Sequence, residues 1–241
     1  MAYECGATVA HVHVRTVDHK ATMALDRFEQ TVGLIRERVP DIIVNMTSSG
    51  GLGFGDEERI LPHTVLKPDM GTFDAGSMNF YKGVFENSPI FLEKLGKAYI
   101  ENGIKPEVEV FDAGMVWNAK RLLKDGFLQA PIHFQCCMHV HGGMEGTPRN
   151  LVHLVDSFPE GSTWSAFGCG PTADVIMAMA MTMGGHIRVG MEDNVYLSKG
   201  VLAEHNYQFV EKVVKLAEVF KRPIANVDEA RQILSLPPRK K

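Results

Sequence analysis

The sequence predicts an α/β protein of the TIM, or (β/α)8, barrel type. Short β-branched and apolar runs alternate with longer amphipathic segments along the chain. That alternation implies parallel strands joined by helical crossovers. Polar or charged residues recur at the ends of almost every run, where barrels carry their active sites.

The elements follow in order. Strands are predicted at 7–14, 41–46, 66–74, 106–112, 131–137, 162–168 and 186–191, and helices at 26–38, 88–103, 114–125, 148–157, 172–184 and 202–220. The last helix has the clearest period, with Val210, Val213, Val214, Ala217 and Phe220 on one face. The Met-rich stretch 174–185 reads as packing against the barrel rather than as a cofactor motif. The opening "MAYECGAT" reads as the tail of a helix and a turn, so the first strand of a complete barrel is expected to be missing. No repeat, low-complexity tract or linker divides residues 1–241, which are read as a single barrel domain.

Composition narrows the function classes. A chain of 241 residues, 45% hydrophobic and 22% charged, has the profile of a globular enzyme. Its formal charge of −4 and the lack of a basic stripe, apart from the Arg239, Lys240 and Lys241 end, argue against nucleic acid as partner. Small molecules are the expected ligands. Cys5, Cys136, Cys137 and Cys169 do not form a secreted disulfide pattern, and no signal-like or membrane-spanning run is present. A cytoplasmic protein with no membrane partner is expected.

Within "TVAHVHVR", His11 and His13 are two residues apart on a strand and therefore point the same way. Two imidazoles on one face of an apolar strand form either a metal site or a pair of hydrogen-bonded core histidines. "HIRVGMEDN" ends a later strand in Glu192 and Asp193, with Arg188 on the same strand. In a barrel the last strand lies near the first, so Glu192 can complete a His2Glu metal set with open positions. The alternative is a loop start whose acids pair with Arg188.

Other stretches add candidates. "NMTSSGGLGFG" offers hydroxyls and glycines after a strand, suited to an anion or to a plain flexible turn. "PEVEVFD" places Glu107 and Glu109 on one strand face, with Glu109 nearer the catalytic end. A second H-x-H, His139 and His141, lies past its strand and leads into a Gly-Gly turn.

Taken together, "HVHVR", "NMTSSGG", "KPDMGTFDAGSMNF", "KPEVEVFDAG", "HGGMEGTPRNL", "WSAFGCG" and "RVGMEDN" resemble the β-keto acid cleavage enzymes over nearly the whole chain. The resemblance implies a TIM barrel, usually a homotetramer, holding zinc or another divalent metal through His11, His13 and Glu192. It implies a reaction between a β-keto acid and acetyl-CoA that yields acetoacetate and a new acyl-CoA. Arg188 and Asp193 then match the family's catalytic pair. Thr47 or Ser48 matches its loop hydroxyl, and Ser77, Asn79 and Glu109 face the substrate by analogy. The sequence departs from the family in lacking the first strand and its acidic residue, in an extra loop residue at "NMTSSGG", and in "MHVHGG". Two other functions fit the motifs less well: a metal-dependent hydrolase of the amidohydrolase type, and an inactive truncated barrel with only metal-binding or subunit-contact roles.

Overall fold

The fold is taken from a computed structural model that describes residues 1–238; the basic residues Arg239, Lys240 and Lys241 lie outside the described residues. Seven parallel strands form one sheet in sequential order: β1 (Val9–Val12), β2 (Ile43–Met46), β3 (Met70–Asp74), β4 (Lys105–Val110), β5 (His133–Met138), β6 (Thr163–Gly168) and β7 (His186–Ile187). Strict neighbour order is what a curling barrel sheet requires. The predicted barrel architecture and its seven strands are present. Among the described residues β1 and β7 share no ladder, so the sheet is open on one seam.

Among the described residues eight α-helices accompany the strands: α1 (Leu25–Arg38), α2 (Asp56–Leu66), α3 (Pro89–Asn102), α4 (Ala113–Lys124), α5 (Pro148–Asp156), α6 (Ala173–Thr182), α7 (Tyr207–Val219) and α8 (Val227–Ile233). The caps explain several starts. Ser88, Asp112 and Thr147 each accept a backbone N–H of the first turn, and Pro89 and Pro148 occupy a position where a missing N–H costs nothing.

The main core lies between the outer strand faces and the helices. Phe73, Val108, Val110 and Phe134 pack there against Leu95, Tyr99, Met115 and Leu151, all fully or almost fully buried. Each large side chain withdrawn from water contributes about 1.5–3 kcal/mol. Phe134 stacks on Phe158 at 4.1 Å, and Tyr99 Oη donates to the Thr72 carbonyl at 2.9 Å. Helix and sheet are thereby joined by a polar tie as well as by packing. Ile176, Met177, Ala180 and Met181 of the Met-rich helix are buried, the packing role expected of them.

The floor of the sheet, at the N-terminal ends of the strands, is closed by α8. Val227, Ala230, Leu234 and Leu236 pack on Ile43 and Met70. Arg231 Nη1 reaches Asp69 Oδ1 at 2.8 Å, while Asp69 Oδ2 accepts the Val44 N–H at 3.0 Å. A side-chain pair therefore ties α8 directly to the start of β2.

Several boundaries differ from the sequence prediction. The strand expected at 66–74 begins only at Met70, because α2 occupies 56–66 and Lys67 ends it in a left-handed conformation, φ 44°. Glu58 starts that helix by accepting the Gly55 N–H at 3.1 Å. Pro62 inside it hid the helix, since proline normally breaks one. The strand expected at 186–191 stops at Ile187, and the chain turns so that Asp193 N donates to Gly190 O. The helix expected from 202 begins at Tyr207; before it, Tyr196–Ser198 and Val201–Leu202 form an antiparallel pair. Phe209 rather than Phe220 is its buried aromatic, Phe220 being 42% exposed. Helix α8 was not predicted.

Candidate functional site

Inward-pointing positions carry polar side chains on strand after strand. His11 faces Asn45 across β1 and β2, Thr72 and Asp74 face Glu107 and Glu109 across β3 and β4, and these in turn face His133 and Gln135 of β5. The period-2 alternation that puts Phe73 and Val108 outside puts these groups inside. The barrel interior is therefore a polar chamber.

At its C-terminal mouth, side chains carried by the two edges of the sheet come together. His11 and His13 lie with their Nε2 atoms 3.0 Å apart. Glu192, from the turn after β7, sets Oε1 2.9 Å from His13 Nε2 and Oε2 3.8 Å from His11 Nε2. These three groups offer ligand atoms all within 4.8 Å of one another. Tetrahedral zinc with ligand bonds of roughly 2.0–2.2 Å separates its donors by about 3.3 Å. The donor set and its spacing fit such an ion. His11, Glu107 and Glu109 also fall within 4.8 Å of each other, but Glu109 is already held by Arg188 Nη1 at 2.8 Å.

Arg188 organises the rest. Its Nε and Nη2 donate to Asp193 Oδ2 and Oδ1 at 3.1 and 3.0 Å, Nη2 lies 3.3 Å from Glu192 Oε1, and its guanidinium covers the Phe167 ring at 4.5 Å. Burial alone lowers an arginine pKa; the surrounding carboxylates reverse that and hold Arg188 firmly charged. Burial lifts the Asp193 carboxyl above the ordinary aspartate value against the opposing pull of Arg188. Burial and the Asp74 carboxylate raise Glu109 well above its ordinary value. Glu192 moves the other way: burial pushes it up, but His13 and Arg188 bring it down to about 2.

The structure thus brings together His11, His13, Glu192, Arg188, Asp193 and Glu109. Thr47 and Ser48 sit beside them on the loop after β2, tied to β1 by Thr47 N donating to Val12 O at 3.1 Å. Thr47 Oγ1 closes a turn with Ser49, and Ser48 Oγ lies 3.3 Å from Thr72 Oγ1. Ser77 and Asn79 belong to a separate hairpin, Met78–Phe80 with Gly83–Phe85, where Ser77 Oγ accepts the Asn87 N–H at 2.8 Å. That hairpin leans on the loop after β5: a Cβ on Gly142, φ 103°, would fall 1.8 Å from the Asn79 carbonyl oxygen. His139 accepts the Gly146 N–H at 3.3 Å, and His141 stacks on Tyr81 with ring centres 5.8 Å apart. Both are turn residues outside the His11–His13–Glu192 group.

Sequence reasoning passed over Asn45, Asp74 and His133. Asn45 Nδ2 donates to Glu107 at 2.7 Å, and His133 lies 2.9 Å from Thr163 Oγ1. Asp74 is 2% exposed, and its Oδ2 has no partner among the described residues. The available signal was alternation: Asn45 and Thr47, Thr72 and Asp74, and His133 and Gln135 repeat the i, i+2 pattern that singled out His11 and His13.

Known proteins resemble this chain along its length. The model of the beta-keto acid cleavage enzyme family matches residues 1–236. A 3-keto-5-aminohexanoate cleavage enzyme of Fusobacterium nucleatum subsp. nucleatum is 46% identical over 236 residues, covering 98% of this chain and 86% of that protein. A 3-oxoadipate:acetyl-CoA acetyltransferase of Cupriavidus necator is 34% identical over 239 residues, with 98% and 84% covered. Among solved structures, apo ObcA superposes with a TM-score of 0.85 at 20% identity, covering 98% of this chain. The chain spans 62% of the ObcA length, and that likeness concerns the fold alone.

Proposed function

The chain belongs to the beta-keto acid cleavage enzyme family, and from that premise we propose that it exchanges acyl groups between a β-keto acid and acetyl-CoA, giving acetoacetate and a new acyl-CoA. The observation that carries this reading is the convergence of His11, His13 and Glu192 with the Arg188–Asp193 pair at one mouth of the barrel. His11, His13 and Glu192 would hold zinc or another divalent cation, which supplies Lewis-acid polarisation of keto and carboxylate oxygens.

The chain's own residues supply the rest. Asp193, fixed by both arms of Arg188, takes a proton from C2 of the β-keto acid. The resulting carbanion attacks the acetyl carbonyl and the CoA thiolate leaves. That thiolate then attacks the original keto carbonyl, the older carbon–carbon bond breaks, and acetoacetate departs with the proton returned from Asp193. One carbon–carbon bond and one thioester form, and one of each breaks. Arg188 keeps Asp193 oriented, Glu109 backs the guanidinium, and Thr47, Ser48, Ser77 and Asn79 are the proposed substrate contacts.

A homotetramer in the cytoplasm completes the proposal. It is supported by the family resemblance and by four cysteines that are all free thiols. Among the described residues no helix is long and apolar enough to cross a membrane. An amidohydrolase-type reaction would draw further ligands from later strand ends, and His139 and His141 stay in their own turn.

The test is mass spectrometry of acetoacetate and new CoA thioesters after incubation with acetyl-CoA and a panel of β-keto acids, with and without a chelator. A chelator-sensitive thioester is expected. A folded, metal-loaded protein that forms none with any β-keto acid would overturn the reading.

A further inference from the structure

Two carboxylates of β4 point into the chamber, and only Glu109 is bound by Arg188. Glu107 is 6% exposed and has different company. Its Oε1 accepts the Asn45 amide at 2.7 Å and lies 3.7 Å from His11 Nδ1; its Oε2 lies 3.9 Å from His133 Nε2. A buried carboxylate is costly to keep unless its partners repay the burial.

The His11 ring explains what the carboxylate is for. Its Nε2 faces His13 and Glu192, at 3.0 and 3.8 Å. A neutral imidazole that offers a lone pair at Nε2 carries its proton on Nδ1, and the tautomer is set by the acceptor placed before Nδ1. Here that acceptor is Glu107 Oε1. Asn45 Nδ2, a donor, comes within 3.4 Å of Nδ1 and could use a lone pair there only in the opposite tautomer, which a cation at Nε2 excludes. Turning its amide over would set oxygen against the Glu107 oxygen and discard the 2.7 Å bond. Its Oδ1 stays buried without a partner among the described residues, so the orientation is held at a cost. At 3.7 Å the His11–Glu107 contact is a long one, just outside hydrogen-bond length.

We propose that Glu107 is a positioning residue: steadied by Asn45, it accepts the Nδ1 proton of His11 and so presents Nε2 to a divalent cation at His11, His13 and Glu192. The inference rests on the metal-binding part of the function proposed above. Glu107 acts through His11 and touches neither substrate.

The experiment measures metal binding apart from catalysis. Zn2+ affinity is determined by competition with a chromophoric chelator for the wild type, Glu107→Gln and Glu107→Leu, and the visible spectrum of each Co2+-loaded protein is recorded. Loss of such a carboxylate partner lowers metal affinity about 10–100-fold. The expected result is a loss in that range for Glu107→Leu, a smaller one for Glu107→Gln, and an altered Co2+ spectrum in both. Glu107→Gln keeps the side-chain volume and carries the test should Glu107→Leu fail to fold. Wild-type affinity and spectrum in both variants would overturn this inference alone. A wild type that binds neither ion would overturn the metal reading and this inference with it.

Discussion

Arg188 grips Asp193 with two parallel hydrogen bonds, Nε to Oδ2 at 3.1 Å and Nη2 to Oδ1 at 3.0 Å, while its third arm holds Glu109. A lysine reaches one oxygen as a point charge and has no fork. Arg188→Lys is therefore expected to leave Asp193 free to swing and to cut kcat by about 10²–10⁴-fold, the usual worth of a positioned acid–base group. Steady-state thioester formation measures it. Activity within a few-fold of wild type would show that the grip does not set the rate.

Gly71 lies where α3 and α2 meet β3. A Cβ there would fall 2.4 Å from Tyr99 Oη and 2.8 Å from His63 Cδ2, both on fully buried side chains. Gly71→Ala should destabilise the fold by about 1–3 kcal/mol through overpacking. Urea denaturation will read this as a lower midpoint at unchanged slope.

Arg231 and Asp69 form the polar tie between α8 and the sheet. Removing one partner of a buried pair strands the other, at about 3–5 kcal/mol, and Asp69 retains some contact with water that reduces the loss. Arg231→Ala is expected to lower stability by about 2–3 kcal/mol, with kcat of the folded protein unaltered because the catalytic mouth is at the opposite end of the strands. Thermal unfolding and turnover, measured together, check both halves.

Burial pulls His63 and His133 down to about 4 from an ordinary value near 6.5. In the unfolded chain these rings take up protons as pH falls through about 6.5, while the folded rings stay neutral until about 4. The unfolded state then binds more protons, so stability falls with falling pH across that window and levels below it. Each group contributes at most about 3 kcal/mol to the change. Urea midpoints between pH 7.5 and 4 should decline, and His63→Gln should flatten the decline. A profile that is flat above pH 4.5 would contradict it.

Much of this was legible in the sequence because a barrel writes its chemistry in alternation. His11 and His13 stood out since imidazoles are conspicuous among valines, and Glu192, Asp193 and Arg188 since they close a strand. Asn45 and Asp74 obey the same period but are ordinary residue types, and only their neighbours across the sheet reveal their company. Helix α2 was hidden by Pro62, although Asp56, Glu57 and Glu58 announced its first turn. Helix α8 was missed because seven residues offer too short a period to read. The shortness of β7 reflects the turn at Gly190, which bends Glu192 and Asp193 back over Arg188.

The floor of the barrel has a consequence for the order of events during synthesis. Ile43 and Met70 leave the ribosome well before the side chains that finally shield them from water, Val227, Ala230, Leu234 and Leu236. Until α8 is made, β2 and β3 wait with one end uncovered. Their completion is a long-range docking event, which leaves apolar surface exposed until α8 emerges and Arg231 finds Asp69.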